Sequence, residues 1–181
     1  ADISSAAIGG AALPDLSCVG AQASRSNWER AELDRAAFDR TDLSQATLVR
    51  ASMEVASFLA ADLSKADLSN VSGDGADFSD AFMTGADLRM SKLSDARFTN
   101  AKLIDSNGQK LLANNARMEG ADLSRASLRG ARMKGCQLSN ANLDGTDLRD
   151  ADLEGAKLAG VATSKAKLAG ENLRGVEGVS S

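Results

Sequence analysis

The sequence has 181 residues, a length that suits one domain or one continuous repeat array. Its apolar content is 43%, yet only 3% of residues are aromatic, and the chain has two cysteines, no tyrosine and no histidine. This composition argues against an ordinary globular core and excludes histidine-based catalysis and the usual zinc sites. The net charge of −4 is too small to predict a nucleic-acid binder, and no apolar run is long enough to span a membrane.

A five-residue repeat runs through the chain without a change of phase. When every fifth residue from Ile3 is taken as the central position, 29 of 36 central residues are large and apolar. Two positions earlier, 24 of 36 residues are alanine and nine more are Ser, Thr, Val or Cys. A period of five matches neither a helix nor a strand. It predicts a solenoid of short sides, in which these two positions point inward and the other three face solvent.

Phenylalanine spacing sets the number of sides. Four of the five phenylalanines recur every twenty residues, which is every four pentads: Phe38, Phe58, Phe78 and Phe98. Rings at that spacing stack in one core column if each coil has four sides, and offset stacking of aromatic rings is favourable.

Segments 61–65 (ADLSK), 121–125 (ADLSR) and 151–155 (ADLEG) resemble A(D/N)LXX pentapeptide repeats. The chain is similar to the pentapeptide repeat family over nearly its whole length. This resemblance implies an all-β fold, a right-handed quadrilateral β-helix that forms a single solenoid over residues 1–181, with about nine coils.

Three segments depart from the repeat. Residues 1–27 are expected to form irregular N-terminal coils or a cap, because within 14–27 the small residues Cys18 and Ala23 take central positions. Residues 170–181 are expected to form a C-terminal cap or tail. Residues 106–115 place Gly108 and Ala113 at consecutive centres beside an Asn-Gly turn signal, which predicts a loop. The alternative is an under-packed coil that continues, because the five-residue phase survives.

Catalytic machinery is not indicated. In a four-sided stack Cys18 and Cys136 lie about 28 Å apart, too far for a disulfide, and Cys136 takes an inward position typical of inert core. Aspartates recur before the central residue, where they are expected to help turn each corner. We therefore expect no enzyme activity, no catalytic residue, no metal and no cofactor.

Charge is distributed in bands along the chain. Net charge is −6 over residues 51–88, +6 over 89–134 and −4 over 135–154. In a four-sided stack the basic band brings five side chains together on neighbouring faces: Lys92, Arg97, Arg117, Arg132 and Lys134. This basic patch is a candidate interaction surface, and the alternative is an ordinary solvated surface.

Outward apolar residues are rarer. Phe82 and Ile104 fall on one face of adjacent coils, and with Leu111 and Leu112 from the expected loop they form a candidate hydrophobic contact site. The alternative is a set of scattered surface residues.

Together these features predict a non-enzymatic scaffold that binds another protein, as an accessory subunit of a larger assembly. Family resemblance suggests export or an organelle lumen, the thylakoid lumen of photosynthetic cells in particular, and an end-to-end homodimer. The alternative function is that of the similar quinolone-resistance proteins, which mimic DNA in the binding groove of gyrase. Nucleic-acid binding is not favoured, because outward aromatic residues are almost absent.

Overall fold

Parallel pairing between residues twenty positions apart organises the chain. The computed structural model describes residues 1–162, 165–168 and 174–176. Each bridge joins one residue to the residue twenty positions later, from Asp2–Gln22 to Asp147–Lys167. Among the described residues there is no helix, and no strand is longer than a single bridged residue. One coil therefore takes four pentads, as the phenylalanine spacing predicts.

The four sides of the coil are named here by their first pentads. Face 1 begins with residues 1–5, face 2 with 6–10, face 3 with 11–15 and face 4 with 16–20, and each face recurs every twenty residues. Coils are numbered from the N-terminal side, so that coil 1 is residues 1–20 and coil 8 is residues 141–160. Most of the expected ninth coil lies outside the described residues.

Backbone hydrogen bonds tie each pentad to both neighbouring coils and close the turn within it. The Leu43 N–H donates to the Asp62 carbonyl at 2.7 Å, and the Asp42 N–H donates to the Ala21 carbonyl at 3.0 Å. The Ala46 N–H donates to the Leu43 carbonyl at 3.0 Å, which closes a four-residue turn. The same pattern recurs along the solenoid, so most of the polar backbone groups inside it are satisfied.

The fifth residue of the pentad turns the corner. The fifth residues have φ between 53° and 72°, in the left-handed region that glycine adopts without strain. Gly75 meets this requirement with φ 72°, whereas Val55 directly below it carries a β-branched side chain at φ 58°. A corner at every fifth residue is the physical reason for the five-residue period.

Stacked apolar side chains form the core. The four phenylalanine rings make one column on face 4, with centroid distances of 5.2, 5.0 and 5.0 Å between neighbours and planes within 9° of parallel. Trp28 meets the Phe38 end of this column edge-on at 5.3 Å. In coils 2 to 8 the residue at the small position, most often alanine, lies buried beside the central residue, and these two positions together fill the core.

Residues 106–115 do not form a loop, so that prediction is wrong and the continuing-coil alternative holds. Asn107 is bridged to its equivalents in coils 5 and 7. The space left by Gly108 is taken by neighbours: a Cβ there would lie 2.8 Å from Cδ2 of Leu128 and 3.6 Å from Cδ2 of Leu111. Leu111, a large residue at a small position, thus supplies the core volume that the two small centres lack.

Residues 1–27 are also more regular than the composition predicts. Coil 1 is bridged to coil 2 on all four faces. Its central residues are only partly buried because no described coil lies beneath them. Of the expected C-terminal cap or tail at 170–181, only residues 174–176 are described; Val176 packs against the core there.

Candidate interaction surfaces

Aspartates before the central residue serve the fold. Asp42, Asp62 and Asp67 each accept a hydrogen bond at 2.9 Å from the backbone N–H two residues later. This geometry holds the turn at the corner of the pentad. At Asp147 the Arg149 guanidinium also donates to the carboxylate, which lowers the pKa of Asp147 to about 2. These carboxylates are used structurally, as expected.

The two cysteines are not reactive thiols of an evident site. Both are free, and the Cys136 Sγ donates to the Ala113 carbonyl at 2.9 Å in the core. Burial raises the pKa of Cys136 to about 12, so its nucleophilic thiolate is suppressed at neutral pH. Within the described part of the chain, no cluster of carboxylates and cysteines could hold a metal ion.

Phe82 and Ile104 lie on face 1 of adjacent coils. Phe82 is bridged to Asp62 below and to Lys102 above, and the Ile104 carbonyl accepts the Gly85 N–H at 2.8 Å. The Phe82 side chain is 53% exposed and Ile104 is half-buried. An aromatic ring this exposed contributes little to the core, so it is available to a binding partner. We call these two residues the apolar pair.

Leu111 and Leu112 do not join the apolar pair, so that part of the predicted contact site is wrong. Leu111 is 2% exposed and belongs to the core. Leu112 is half-buried on face 3, between Lys92 and Arg132. Face 3 is opposite face 1 in the coil, because two pentads separate them.

The basic patch occupies two adjacent faces. Lys92 and Arg132 lie on face 3 on either side of Leu112, and Arg97 is bridged to Arg117 on face 4. All four side chains are exposed. The coil register therefore places these four residues in columns on neighbouring faces, as predicted.

Neighbouring carboxylates partly neutralise the basic patch. Lys134 Nζ lies 2.7 Å from Glu154 and 3.4 Å from Asp152, and these contacts raise the pKa of Lys134. Arg97 is 4.0 Å from Asp77. Lys92 and Arg132 make no ion pair with any described residue, so their charge remains available at the surface.

Several exposed apolar residues were missed by the sequence analysis. Val55 and Met90 occupy corner positions and are 67% and 53% exposed, and Leu59 on face 4 is 42% exposed. The signal that could have found Val55 and Met90 is an apolar side chain at the fifth position of a pentad.

A shallow groove lies at the corner between faces 2 and 3, lined by Gln109, Lys110, Arg129, Gly130 and Asp150.

No helix in the described ranges has the length and apolar character that crossing a membrane requires.

Coils of twenty residues, corners at every fifth residue and an Ala-centred core define a quadrilateral β-helix of pentapeptide repeats. The sequence profile of the family "Pentapeptide repeats" matches eight copies, over residues 17–54, 56–89, 91–130 and 131–162. The chain belongs to the pentapeptide repeat family, whose members form right-handed quadrilateral β-helices. No curated protein sequence matches it.

Solved structures share the fold at low sequence identity. The chain is similar to a trypsin-treated variant of QnrB1, a plasmid-mediated fluoroquinolone resistance protein, with 23% identity, a TM-score of 0.75 and coverage of 94% of this chain and 88% of that one. It is also similar to HetL, involved in heterocyst differentiation regulation in the cyanobacterium Nostoc sp. strain PCC 7120. That match has 24% identity, a TM-score of 0.58 and coverage of 96% and 87%.

A protein of the Arabidopsis thaliana thylakoid lumen matches with 27% identity, a TM-score of 0.37 and coverage of 67% and 68%. Because so low a TM-score carries no argument, the thylakoid-lumen location stays a prediction.

Proposed function

We propose that this protein is a non-enzymatic scaffold, a rod of about nine coils and about 43 Å that binds another protein as an accessory subunit of a larger assembly. The observation that carries the proposal is Phe82, an aromatic side chain that is 53% exposed on face 1. Apart from Ile104 and Gly85, the other outward residues of face 1 in coils 4 to 6 are polar or charged. A solvated surface gains nothing from an exposed phenyl ring, whereas aromatic residues anchor protein interfaces.

The rest of the molecule supports a binding role over a catalytic one. Pentapeptide repeat proteins are generally structural or interaction proteins. In this chain the recurring aspartates hold turns, and the Cys136 thiol is buried. The basic patch then provides a second, charged contact region that steers an acidic partner toward the rod.

A crosslinked pull-down from the source cells tests the proposal. The wild-type chain is compared with a Phe82→Ser, Ile104→Ser variant, and a Val19→Ser, Leu59→Ser variant serves as the matched control, because both control residues are exposed apolar residues on face 4. We expect one stoichiometric partner that the face 1 variant loses and the face 4 variant keeps, with all three chains equally stable to heat. Recovery of the same proteins with both variants would refute the apolar pair as the contact.

A Lys92→Glu, Arg97→Glu variant in the same experiment tests the basic patch. Loss of the partner with this variant alone would move the contact from face 1 to faces 3 and 4. Loss with both variants would give a partner that reaches around the rod.

DNA mimicry is the weaker candidate. The fold likeness to QnrB1 is compatible with it, but a mimic needs a continuous negative surface, and coils 5 to 7 expose Lys92, Arg97, Arg117 and Arg132 instead. Such a band would repel a basic DNA-binding groove. We expect no inhibition or protection of gyrase in a supercoiling assay; inhibition by a stoichiometric amount would favour mimicry over the scaffold.

A further inference from the structure

Between coils 2 and 7, face 3 carries its charges in two blocks, and coil 8 is acidic again, with Asp152 and Glu154. Coils 2 to 4 present only acidic groups at the outward positions on either side of the central residue: Glu32, Asp34, Glu54 and Asp74. Coils 5 to 7 present only basic groups at the same positions: Lys92, Arg132 and Lys134. The other residues at these positions are Ser52, Ser72, Ser94, Leu112 and Asn114. The corner residues of face 3 add the exposed Val55 and two charges, Arg35, which is paired with Asp15 of its own chain, and Asp95.

This order makes face 3 complementary to itself. Suppose that two copies meet face to face and antiparallel, with the two-fold axis between coils 4 and 5. Coil 2 then lies against coil 7 of the other copy, and the same columns face each other because the axis runs across the face. Glu32 meets Arg132 and Asp34 meets Lys134, and the symmetry repeats both pairs. Arg132 has no ion pair among the described residues, whereas Lys134 would share its charge with Glu154 and Asp152 of its own chain.

The middle of the face is also compatible with this arrangement. Asp74 of coil 4 faces Ser94 in coil 5 of the other copy, and Lys92 of that coil faces Ser72. The corner residue Asp95 of coil 5 faces Gly75. The groups around Asp74 are short side chains that allow close approach: Ser52, Ser72 and Ser94. No two like charges face each other from coil 2 to coil 7.

Other faces fail the same operation. On face 2 it would set Asp67 against Asp87 of the other copy, and on face 1 it would set the exposed Phe82 against Asp62. Face 4 gives one opposite pair, Asp77 and Arg97, against two on face 3. Self-complementarity of charge is therefore a property of face 3, and like-charge contacts are costly at an interface.

We propose that face 3 binds a second copy of the chain, side by side and antiparallel, about a two-fold axis between coils 4 and 5. This inference rests on the proposed function in one respect: it names a second copy of the chain as the partner of Lys92, Arg132 and Lys134, the face 3 part of the basic patch. It leaves face 1 and the apolar pair outermost on both copies. Six coils give a contact about 29 Å long and one pentad wide, an area that suits a weak, salt-sensitive dimer.

Reciprocal charge reversal tests the proposal by analytical ultracentrifugation of the full chain. Variant A is Glu32→Arg, Asp34→Lys, and variant B is Arg132→Glu, Lys134→Glu. We expect the wild type to dimerise at low ionic strength and to dissociate in about 500 mM salt, where the Debye length is only a few ångströms. Variants A and B should each lose affinity by more than about tenfold, because like charges then face each other.

Mixing the two variants provides the decisive arm. A and B together place basic coils against acidic coils at both ends of the contact, so the mixture should form a heterodimer that neither variant forms alone. This result also shows that both variants are folded. An Arg97→Glu, Arg117→Glu variant on face 4 serves as the control and should dimerise like the wild type.

Three results would overturn the inference. A wild type that stays monomeric at high concentration and low salt excludes the dimer. Dimers unaffected by A and B place the contact elsewhere, at the ends of the rod for example. If A and B are monomeric both alone and mixed, face 3 is not self-complementary. Each of these results can occur while the pull-down of the apolar pair succeeds, so the two proposals fail separately.

Discussion

Single inward hydroxyl groups show how this core accommodates polarity. Thr41, Ser91 and Thr146 occupy small positions where alanine is usual, and each donates to the carbonyl twenty-three residues earlier, at 2.6, 2.6 and 2.8 Å. The acceptor is within reach because the coil register brings that carbonyl beside the small position. Ser106 has the same place in coil 6, but its buried hydroxyl has no hydrogen-bond partner among the described residues.

Ser91→Ala and Ser106→Ala should therefore differ in their effect on stability. Ser91→Ala removes a buried hydrogen bond and should lower the free energy of unfolding by about 1 kcal/mol. Ser106→Ala removes a buried hydroxyl that gains no hydrogen bond, and should be neutral or stabilising. Urea denaturation of the two variants measures both effects, and equal losses would show that Ser106 has a partner of its own.

A single carboxylate, Asp147, also makes the free energy of unfolding sensitive to acid. The Arg149 guanidinium holds the pKa of Asp147 at about 2, below its ordinary value of 3.8. A carboxyl with a lowered pKa in the folded state contributes stability that is complete above its ordinary pKa and is lost as the pH falls toward the folded value. Asp147→Asn should make the unfolding free energy less dependent on pH between about 4 and 2. An unchanged slope would mean that Arg149 does not hold this carboxylate in solution.

Within one coil the core stays filled, but the large side chains that fill it need not stand at the central positions. Coil 6 has small residues at two consecutive centres, yet it keeps its bridges because Leu111 fills the space from a small position. At Gly73 in coil 4 the neighbouring coils compensate instead, since a Cβ there would lie 2.8 Å from Cγ of Met53 and 3.0 Å from Cδ2 of Leu93.

Adjacent leucines in coil 6 provide a matched test of this account. Leu111→Ala should cost about 2–5 kcal/mol, the usual range for truncating a buried leucine, because the adjacent central residues, Gly108 and Ala113, are too small to fill the lost volume. Leu112→Ala, on the half-buried outside of face 3, should cost much less. Thermal unfolding of both variants measures the difference. Similar losses of stability in the two variants would contradict this packing and favour the loop over residues 106–115.

In the molecule as a whole, the regular repeat determines the fold, and the candidate functional residues are those that depart from the repeat. The coil of four pentads and the phenylalanine column follow from spacing alone, because a fixed period makes every inward position equivalent. The continuity of coil 6 does not follow, because it depends on where the Leu111 side chain lies rather than on which positions are filled. Leu111 and Leu112 are neighbours in the chain but lie on opposite sides of the backbone, so the predicted contact site divides between core and surface.

Both proposed surfaces depend on which residues of the solenoid point inward and which point outward. Phe58 and Phe82 test this assignment most directly, because the same side chain is fully buried at one position and 53% exposed at the other. Urea unfolding of Phe58→Ala and Phe82→Ala compares the two. We expect Phe58→Ala to lose about 3–5 kcal/mol and Phe82→Ala to stay within about 0.5 kcal/mol of the wild type. Equal losses at the two positions would contradict the register of the solenoid and both surfaces built on it.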